Sequence, residues 1–427
     1  MKKIFNNIAY ADETLTLDNT DNTVDAWPKI EADLQFAVAN LPDTWPGEPG
    51  RANVWAAKAM LAKVYMFEHK YTDAYPILTD VIANGKTSGG AHYALNDHFY
   101  SNFNPAQKNS AESVFSAQTS VQDNSSVDWG GDPNGNYGDI LNFPYTGGPG
   151  ACCGFYNPSQ DLANAFKTDA TTGLPLFDTY QNGPGVSAES GTAYSGTLDP
   201  RIDWTMGRPG IPYLDWGIHP GIAWIRNPQN DGNKSPIKNV YAQSQKNFTD
   251  VGSAYWGPTE LVANNVNIIR FSDVILWAAE CEVEANQLPQ AMAHVNQVRG
   301  RMVNHPEAWA KNGAYDGATA TYAGTNSDNY KISLYTSFPS QDYARTAVRF
   351  ERRLELAMEG QRFFDLVRWG IAEPTINTYI EREKAARPLK SDAHFTANKN
   401  EYMPIPQSEI DNLNSDGVTR LKQNQGY

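Results

Sequence analysis

Two stretches of the chain carry the same helical-hairpin pattern, and this internal repeat limits the fold more than any other feature. Residues 52–83 and 271–301 each contain two amphipathic segments separated by a short polar turn. Small and apolar residues recur at matching places, with Ala62, Ala74, Leu78 and Val81 corresponding to Ala279, Ala291, Val295 and Val298. A small residue in each helix allows close helix approach, as in tetratricopeptide units of about 34 residues. The repeat therefore predicts a scaffold of paired helices.

Further helices are predicted on both sides of the central region. Residues 24–41 place apolar side chains at helical spacing and end at Pro42. Two more helices are expected over residues 341–360 and 362–380. No comparable periodicity occurs in the central part of the chain.

The central part is rich in Gly, Pro, Asn and aromatic residues, which favours ordered loops and short strands. Its many rings argue against a disordered linker, because disordered segments contain few aromatic residues. We predict a mainly α fold with a tetratricopeptide-like scaffold and a large loop-rich insertion containing short strands. The expected single domain, 1–427, comprises the scaffold at 24–86 and 262–380, a ligand-binding insertion at 87–261, and a C-terminal segment at 381–427.

Charge and composition narrow the class of ligand. The 48 acidic residues exceed the 34 Lys and Arg residues, so the net charge of -14 argues against nucleic acid. Aromatic residues make up 12% of the chain, and these rings need either a core or a ligand. A neutral ligand fits the charge balance better than a nucleic acid does. Of the three cysteines, Cys152 and Cys153 are adjacent, and they form either a vicinal disulfide or a buried thiol pair.

A family resemblance appears in the C-terminal helices. Residues 349–370 (RFERRLELAMEGQRFFDLVRWG) closely resemble the signature of the SusD/RagB family. Four shorter segments support the resemblance, at 269–280, 296–301, 402–410 and 423–427. The resemblance extends from about residue 24 to the end and is loose in the middle third.

The resemblance implies a surface-exposed lipoprotein of the bacterial outer membrane. Such a protein would bind an oligosaccharide or polysaccharide and deliver it to a SusC-like TonB-dependent transporter, without an enzymatic activity or a cofactor. The sequence departs from the family because it lacks the lipobox cysteine and the segment of the first helical repeat. We therefore expect the N-terminal segment to be missing, and membrane contact to require a lipid anchor that this sequence does not contain.

The best candidate binding surface lies in the Pro- and Gly-rich part of the insertion. A flat ring on a rigid loop can cover the C–H face of a sugar with little loss of conformational entropy. The expected rings and polar partners are Trp204, Arg208, Tyr213, Asp215, Trp216 and Trp224, with Trp129 and Tyr156 on an opposite wall that also includes Tyr137, Tyr145 and Phe155. The alternative is that these rings pack the insertion onto the helices.

The charged residues of the signature segment are interpreted as structural. Helical spacing places Arg352 and Arg353 beside Glu355 and Glu359, and Arg362 beside Asp365. Salt bridges inside the helices would therefore satisfy these charges.

One loop contains a weak candidate calcium site, formed by Asp132, Asn134, Asn136 and Asp139. The spacing does not match an EF-hand, and local turns stabilised by Asp and Asn side chains are the favoured interpretation.

Three alternatives to glycan capture remain open. The sequence has no HExxH, GxSxG or dinucleotide-binding motif, although two distant carboxylates could still form a glycoside hydrolase site. Peptide capture, as in the RagB branch, would require backbone partners and pockets. A pure protein–protein scaffold would leave the aromatic insertion unexplained.

Overall fold

Helices form the frame of the molecule, and the strands are short. The computed structural model describes residues 1–427 except 11, 14–21, 23, 126–131, 150–152, 239 and 251–260. Within these residues the helices α1 to α12 are Lys2–Phe5, Trp27–Asn40, Val54–Phe67, Tyr71–Asn84, Gln160–Ala165, Pro228–Asp231, Phe271–Glu284, Leu288–Asn304, Gln341–Glu355, Arg362–Arg368, Ala372–Glu383 and Gln407–Leu413. The strands β1 to β6 are Ser113–Ala117, Met206–Gly207, Ser235–Pro236, Val266–Arg270, Tyr315–Asp316 and Thr321–Tyr322.

The predicted helical repeat is confirmed. Helices α3 and α4 form the first hairpin, α7 and α8 form the second, and α4 packs against α7. The corresponding alanines, Ala62, Ala74, Ala279 and Ala291, are all completely buried. Because these side chains are small, the paired helices can pack closely at these positions. Helix α9 covers α7 and α8 and completes the core of the scaffold.

One predicted helix is two helices in the structure. The prediction of a continuous helix over 362–380 is wrong, because α10 ends at Arg368 and α11 begins at Ala372. Gly370 has a φ of 67°, and its N–H donates to the Val367 carbonyl. The N–H of Ile371 donates to the Leu366 carbonyl. This pattern is a glycine C-cap, which ends a helix and turns the chain away from its axis.

The chain between α4 and α7 contributes most of a second core, which also includes side chains of α8 and α9. Its fully buried side chains include Phe99, Tyr100, Phe143, Phe166 and Trp204. Strand β1 near the start of this region pairs antiparallel with β4 at its end. The insertion therefore leaves and rejoins the scaffold at neighbouring points. The other strand pairs, β2 with β3 and β5 with β6, are also antiparallel.

Buried ion pairs of α9 connect the scaffold to the insertion. The Glu351 carboxylate contacts Arg201 of the insertion at 2.6 Å and Arg299 of α8 at 2.8 Å. Glu355 contacts Arg201 at 3.2 Å and Arg270 at 3.0 Å. The interpretation of the signature charges as structural agrees with these contacts. The predicted pairing of Arg352 and Arg353 with Glu355 and Glu359 is wrong, because these four side chains bind partners outside α9.

A second group of ion pairs holds α9, α10 and α7 together. Arg352 binds Asp273 at 2.7 Å and Asp365 at 3.0 Å, and Arg368 binds Asp365 at 2.9 Å and Glu280 at 2.6 Å. Both oxygens of Asp365 are therefore used by Arg352 and Arg368. The predicted pair between Arg362 and Asp365 is not formed.

These buried carboxylates predict a stability that falls in acid. Burial alone would raise the pKa of Glu280 and Asp365. The charges of neighbouring arginines lower it by more than burial raises it, so the pKa of each carboxyl is below its ordinary value. Their contribution to stability is complete above the unfolded pKa of about 4 and is lost as the pH falls through the lower folded value. We expect the urea midpoint to be nearly constant from about pH 8 to 6 and to fall below about pH 5. A midpoint that does not change in acid would contradict this.

In the described part of the chain, every helix is too short or too polar to span a lipid bilayer.

Candidate functional site

Three aromatic side chains of the insertion are half-exposed, and two of them are neighbours in the chain. Phe155 is 50% exposed, Tyr156 is 48% exposed and Tyr145 is 41% exposed. The guanidinium of Arg226 lies 5.4 Å from the ring centre of Phe155 and 5.8 Å from that of Tyr145. We refer to Tyr145, Phe155, Tyr156 and Arg226 as the aromatic platform.

Backbone hydrogen bonds fix the loops that carry the platform. The N–H of Phe155 donates to the Leu141 carbonyl at 2.9 Å, and the N–H of Tyr145 donates to the Trp224 carbonyl at 3.0 Å. Gly154 has a φ of 63°, and a Cβ at this position would lie 2.9 Å from the Cβ of Tyr145. Glycine is therefore required where the two loops approach each other.

Tyr156 is held in a strained conformation. Its φ of 62° is uncommon for a residue with a Cβ and costs about 1–3 kcal/mol. Burial raises the pKa of its hydroxyl, and the nearby backbone of Gly360, after α9, offsets part of this rise. Surrounding structure thus fixes this ring while half of its surface stays open. Such strain is typical of functional sites.

Arg226 has donors available for a ligand. Its hydrogen bond to the Cys153 carbonyl is long, at 3.4 Å, and its side chain is exposed. Stacked near the rings of Tyr145 and Phe155, the guanidinium is positioned to donate to hydroxyl groups above them. Cys153 is disulfide-bonded, whereas Cys281 is free and buried. Cys152 lies outside the described residues.

A groove of about 480 Å³ adjoins the platform. Phe155 and Tyr156 form its apolar side, and its polar lining residues include Asn227, Asn230, Asp231, Glu383, Arg387 and Lys390. Hydroxyl-rich ligands need this combination of flat apolar surface and hydrogen-bonding groups. The groove joins loops of the insertion to α11 and the segment that follows it.

Three residues predicted to contact ligand are buried in the second core. The indole of Trp204 is 0% exposed, stacks on Tyr100 at 5.0 Å and donates to the Ala308 carbonyl. Tyr213 is also fully buried and donates its hydroxyl to the Pro236 carbonyl. Arg208 is committed to ion pairs with Asp203 and Asp328, each at 2.6 Å. We therefore leave Trp204, Arg208 and Tyr213 out of the proposed site.

Three other residues of the predicted binding surface, Asp215, Trp216 and Trp224, are half-buried. Trp216 donates its indole N–H to the Tyr241 carbonyl at 2.8 Å. Trp224 makes an edge-to-face contact with His219 at 5.0 Å, and its carbonyl accepts from the N–H of Tyr145. The carboxylate of Asp215 accepts from the N–H groups of Gln243 and Ser244, so it supports a neighbouring loop. Trp129 lies outside the described residues.

Three of the four residues in the weak calcium candidate use their side chains in hydrogen bonds. Asn136 accepts from the N–H groups of Gly138 and Asp139 and donates to the Asn264 carbonyl. Asn134 donates to Asp123, and Asp132 accepts from the Gln122 N–H. Among the described residues, no cluster of three or more His, Cys, Asp or Glu side chains has a geometry suited to a metal ion.

Arg226 and Tyr379 were not predicted from the sequence. Arg226 follows two residues after Trp224, so its place in an aromatic loop is a weak local signal. Tyr379 of α11 has no such signal, because it reaches the groove only through the tertiary fold.

Comparisons with known proteins give the family. The sequence model of the SusD family matches residues 111–427. A SusD-like protein of Formosa agariphila is 26% identical over 353 residues, which are 80% of this chain and 54% of that protein. The chain thus spans about half the length of this curated relative.

Solved structures share the fold. A SusD-like protein from Bacteroides fragilis superposes with a TM-score of 0.66 at 20% identity, covering 100% of this chain and 76% of that one. Surface glycan-binding protein A from Bacteroides thetaiotaomicron, in complex with laminarihexaose, gives a TM-score of 0.58 at 19% identity, with coverage of 99% and 74%.

These matches confirm the resemblance and the mainly α, SusD-like fold with helical repeats and a loop-rich insertion. The family consists of carbohydrate-binding proteins rather than enzymes, and it is associated with the outer-membrane surface. The family match covers most of the chain, including the signature helices and the aromatic platform. The chain therefore belongs to the SusD family.

Proposed function

We propose that the protein captures an oligosaccharide on the aromatic platform and delivers it to a SusC-like TonB-dependent transporter at the outer-membrane surface. The observation that carries this proposal is the set of three half-exposed rings, Tyr145, Phe155 and Tyr156, on loops fixed by hydrogen bonds. Related structures include a laminarin-binding SusD-like protein and the laminarihexaose complex. The transporter as partner follows from the family.

The platform offers both kinds of contact that a sugar needs. The C–H face of a pyranose loses unfavourable contact with water when it covers a ring such as Phe155. Arg226 can donate to the hydroxyl groups at the ring edge, and Asn227 and Asn230 lie in the adjoining groove. Because the loops are already ordered, little conformational entropy is lost on binding.

Removal of the Phe155 ring is expected to weaken glycan binding about tenfold, which corresponds to about 1.4 kcal/mol of lost ring contact. Calorimetry against a panel of polysaccharides that includes laminarin would identify a ligand and measure the affinity of Phe155→Ala for it. The matched control is Phe36→Ala on α2, where the ring is 69% exposed and belongs to the scaffold. An unchanged affinity in Phe155→Ala would remove the platform from the proposal.

Two other results would redirect the proposal. Peptides identified by mass spectrometry in the purified protein, with no glycan bound in the panel, would indicate peptide capture. New reducing ends after incubation with a bound glycan would indicate hydrolysis.

A further inference from the structure

A second cavity, of about 530 Å³, also has Tyr156 in its wall. It is enclosed by α5, the end of α9, α10 and α11, and the side chains of Tyr156, Tyr180 and Tyr379 contribute rings to its wall. Tyr156 and Tyr379 also line the groove beside the platform. The cavity is within the size range of small-molecule sites, about 300–1,000 Å³.

The charged groups of this cavity are mostly positive. Its charged lining residues are Arg353, Arg362, Arg382 and Asp161. Three guanidinium groups thus face one carboxylate, although the whole protein has a net charge of -14. The cavity therefore has a local excess of positive charge, whereas the chain as a whole is negatively charged.

The single carboxylate is already occupied. Asp161 accepts hydrogen bonds from Arg353, from Arg382 at 3.3 Å and from Gln181 at 2.6 Å. Arg353 also donates to the hydroxyl of Tyr180 at 2.9 Å. Asp161 therefore cannot also neutralise the third guanidinium of the cavity.

Arg362 is the third guanidinium, and it has no anionic partner among the described residues. Asp365, its expected partner, binds Arg352 and Arg368. Burial, together with the charge of Arg353, lowers the pKa of Arg362 to about 9. A partly desolvated guanidinium without an ion-pair partner gains more from binding an anion than one that is already paired.

We propose that this cavity binds an acidic sugar unit, with Arg362 pairing with its carboxylate or sulfate group and the tyrosine rings contacting the sugar. A guanidinium forms two parallel hydrogen bonds to either group. Tyr156 would contact both this unit and its neighbour on the platform. The inference rests on the proposed glycan function and names the substrate class as an anionic glycan.

Calorimetry with three matched probes tests the inference: laminarihexaose as the neutral sugar, hexagalacturonate as the carboxylate, and a sulfated galactan hexasaccharide. We expect at least one acidic probe to bind wild type ten times more tightly than the neutral probe. Preference for hexagalacturonate identifies a carboxylate, and preference for the galactan identifies a sulfate ester. Arg362→Gln should lose that preference about tenfold and keep its affinity for the neutral probe, which also shows that the variant is folded.

The control Arg51→Gln, which removes an exposed charge from the loop before α3, should bind like wild type. In wild type, a higher NaCl concentration should lower the affinity for the acidic probe and leave the affinity for the neutral probe unchanged. Equal affinities for all three probes, or an acidic preference that survives in Arg362→Gln, would overturn the inference and leave the proposed function standing. Failure of every glycan to bind would instead contradict the proposed function.

Discussion

Replacement of Glu355 by Gln is expected to lower the free energy of unfolding by about 3–5 kcal/mol. The Glu355 side chain is completely buried, and its carboxylate contacts Arg201 at 3.2 Å, Arg270 at 3.0 Å and Arg301. Burial raises the pKa of Glu355, but the charges of these arginines lower it well below the ordinary value. Glutamine keeps the shape and removes the charge, so three buried cations lose their shared partner.

Urea denaturation of the purified variant measures this loss. The matched control is Glu409→Gln on α12, an exposed position where the change is expected to stay within about 0.5 kcal/mol. The urea midpoint of the variant should also fall less steeply in acid than that of wild type. A loss below about 1 kcal/mol would show that the ion pairs between α9 and the insertion contribute little to stability.

Replacement of Trp204 by Ala is the second change with a large expected effect, about 3–5 kcal/mol in the free energy of unfolding. The buried indole stacks on Tyr100 at 5.0 Å and packs against Tyr322 at 5.2 Å. Its N–H donates to the Ala308 carbonyl, so truncation leaves both a cavity and an unsatisfied acceptor.

The glycan affinity of Trp204→Ala shows whether Trp204 only packs in the core or also contacts the ligand. At a temperature where the variant remains folded, we expect its affinity for glycan to equal that of wild type, because the ring does not reach the surface. Trp204→Phe, which keeps one aromatic ring, should lose less stability. A stable Trp204 variant with weakened binding would return this residue to the site.

Helices were predictable because their signal is local. The spacing of Ala62 and Ala74, repeated at Ala279 and Ala291, identifies paired helices without knowledge of the fold. The break between α10 and α11 was missed because Gly370 is compatible with a helix until its left-handed φ is known. Local spacing therefore located the helices better than their ends.

The structural role of the charged residues could be predicted from the sequence, but their ion-pair partners could not. Helical spacing placed Arg362 next to Asp365, yet Arg352 and Arg368 take both oxygens of that carboxylate. Which pair forms depends on how α9 and α10 meet, and the sequence does not show that angle. The same competition leaves Arg362 without an anionic partner in the described part of the chain, which is the basis of the acidic-sugar inference.

The sequence identified the region that contains the candidate site, but it did not identify which aromatic rings are exposed there. Trp204 and Phe155 both lie in Gly- and Pro-rich segments, but packing buries the first and leaves the second half-exposed. Large aromatic side chains suit a core as well as a ligand surface. Only tertiary contacts decide between these roles.

A crystal structure of the protein with an oligosaccharide that binds in the calorimetric panel tests the central claim most directly. The account predicts a sugar ring within about 4 Å of the Phe155 or Tyr156 side chain, with Arg226 donating to a hydroxyl group. A glycan bound elsewhere on the protein, with Tyr145, Phe155 and Tyr156 free of contact, would contradict it.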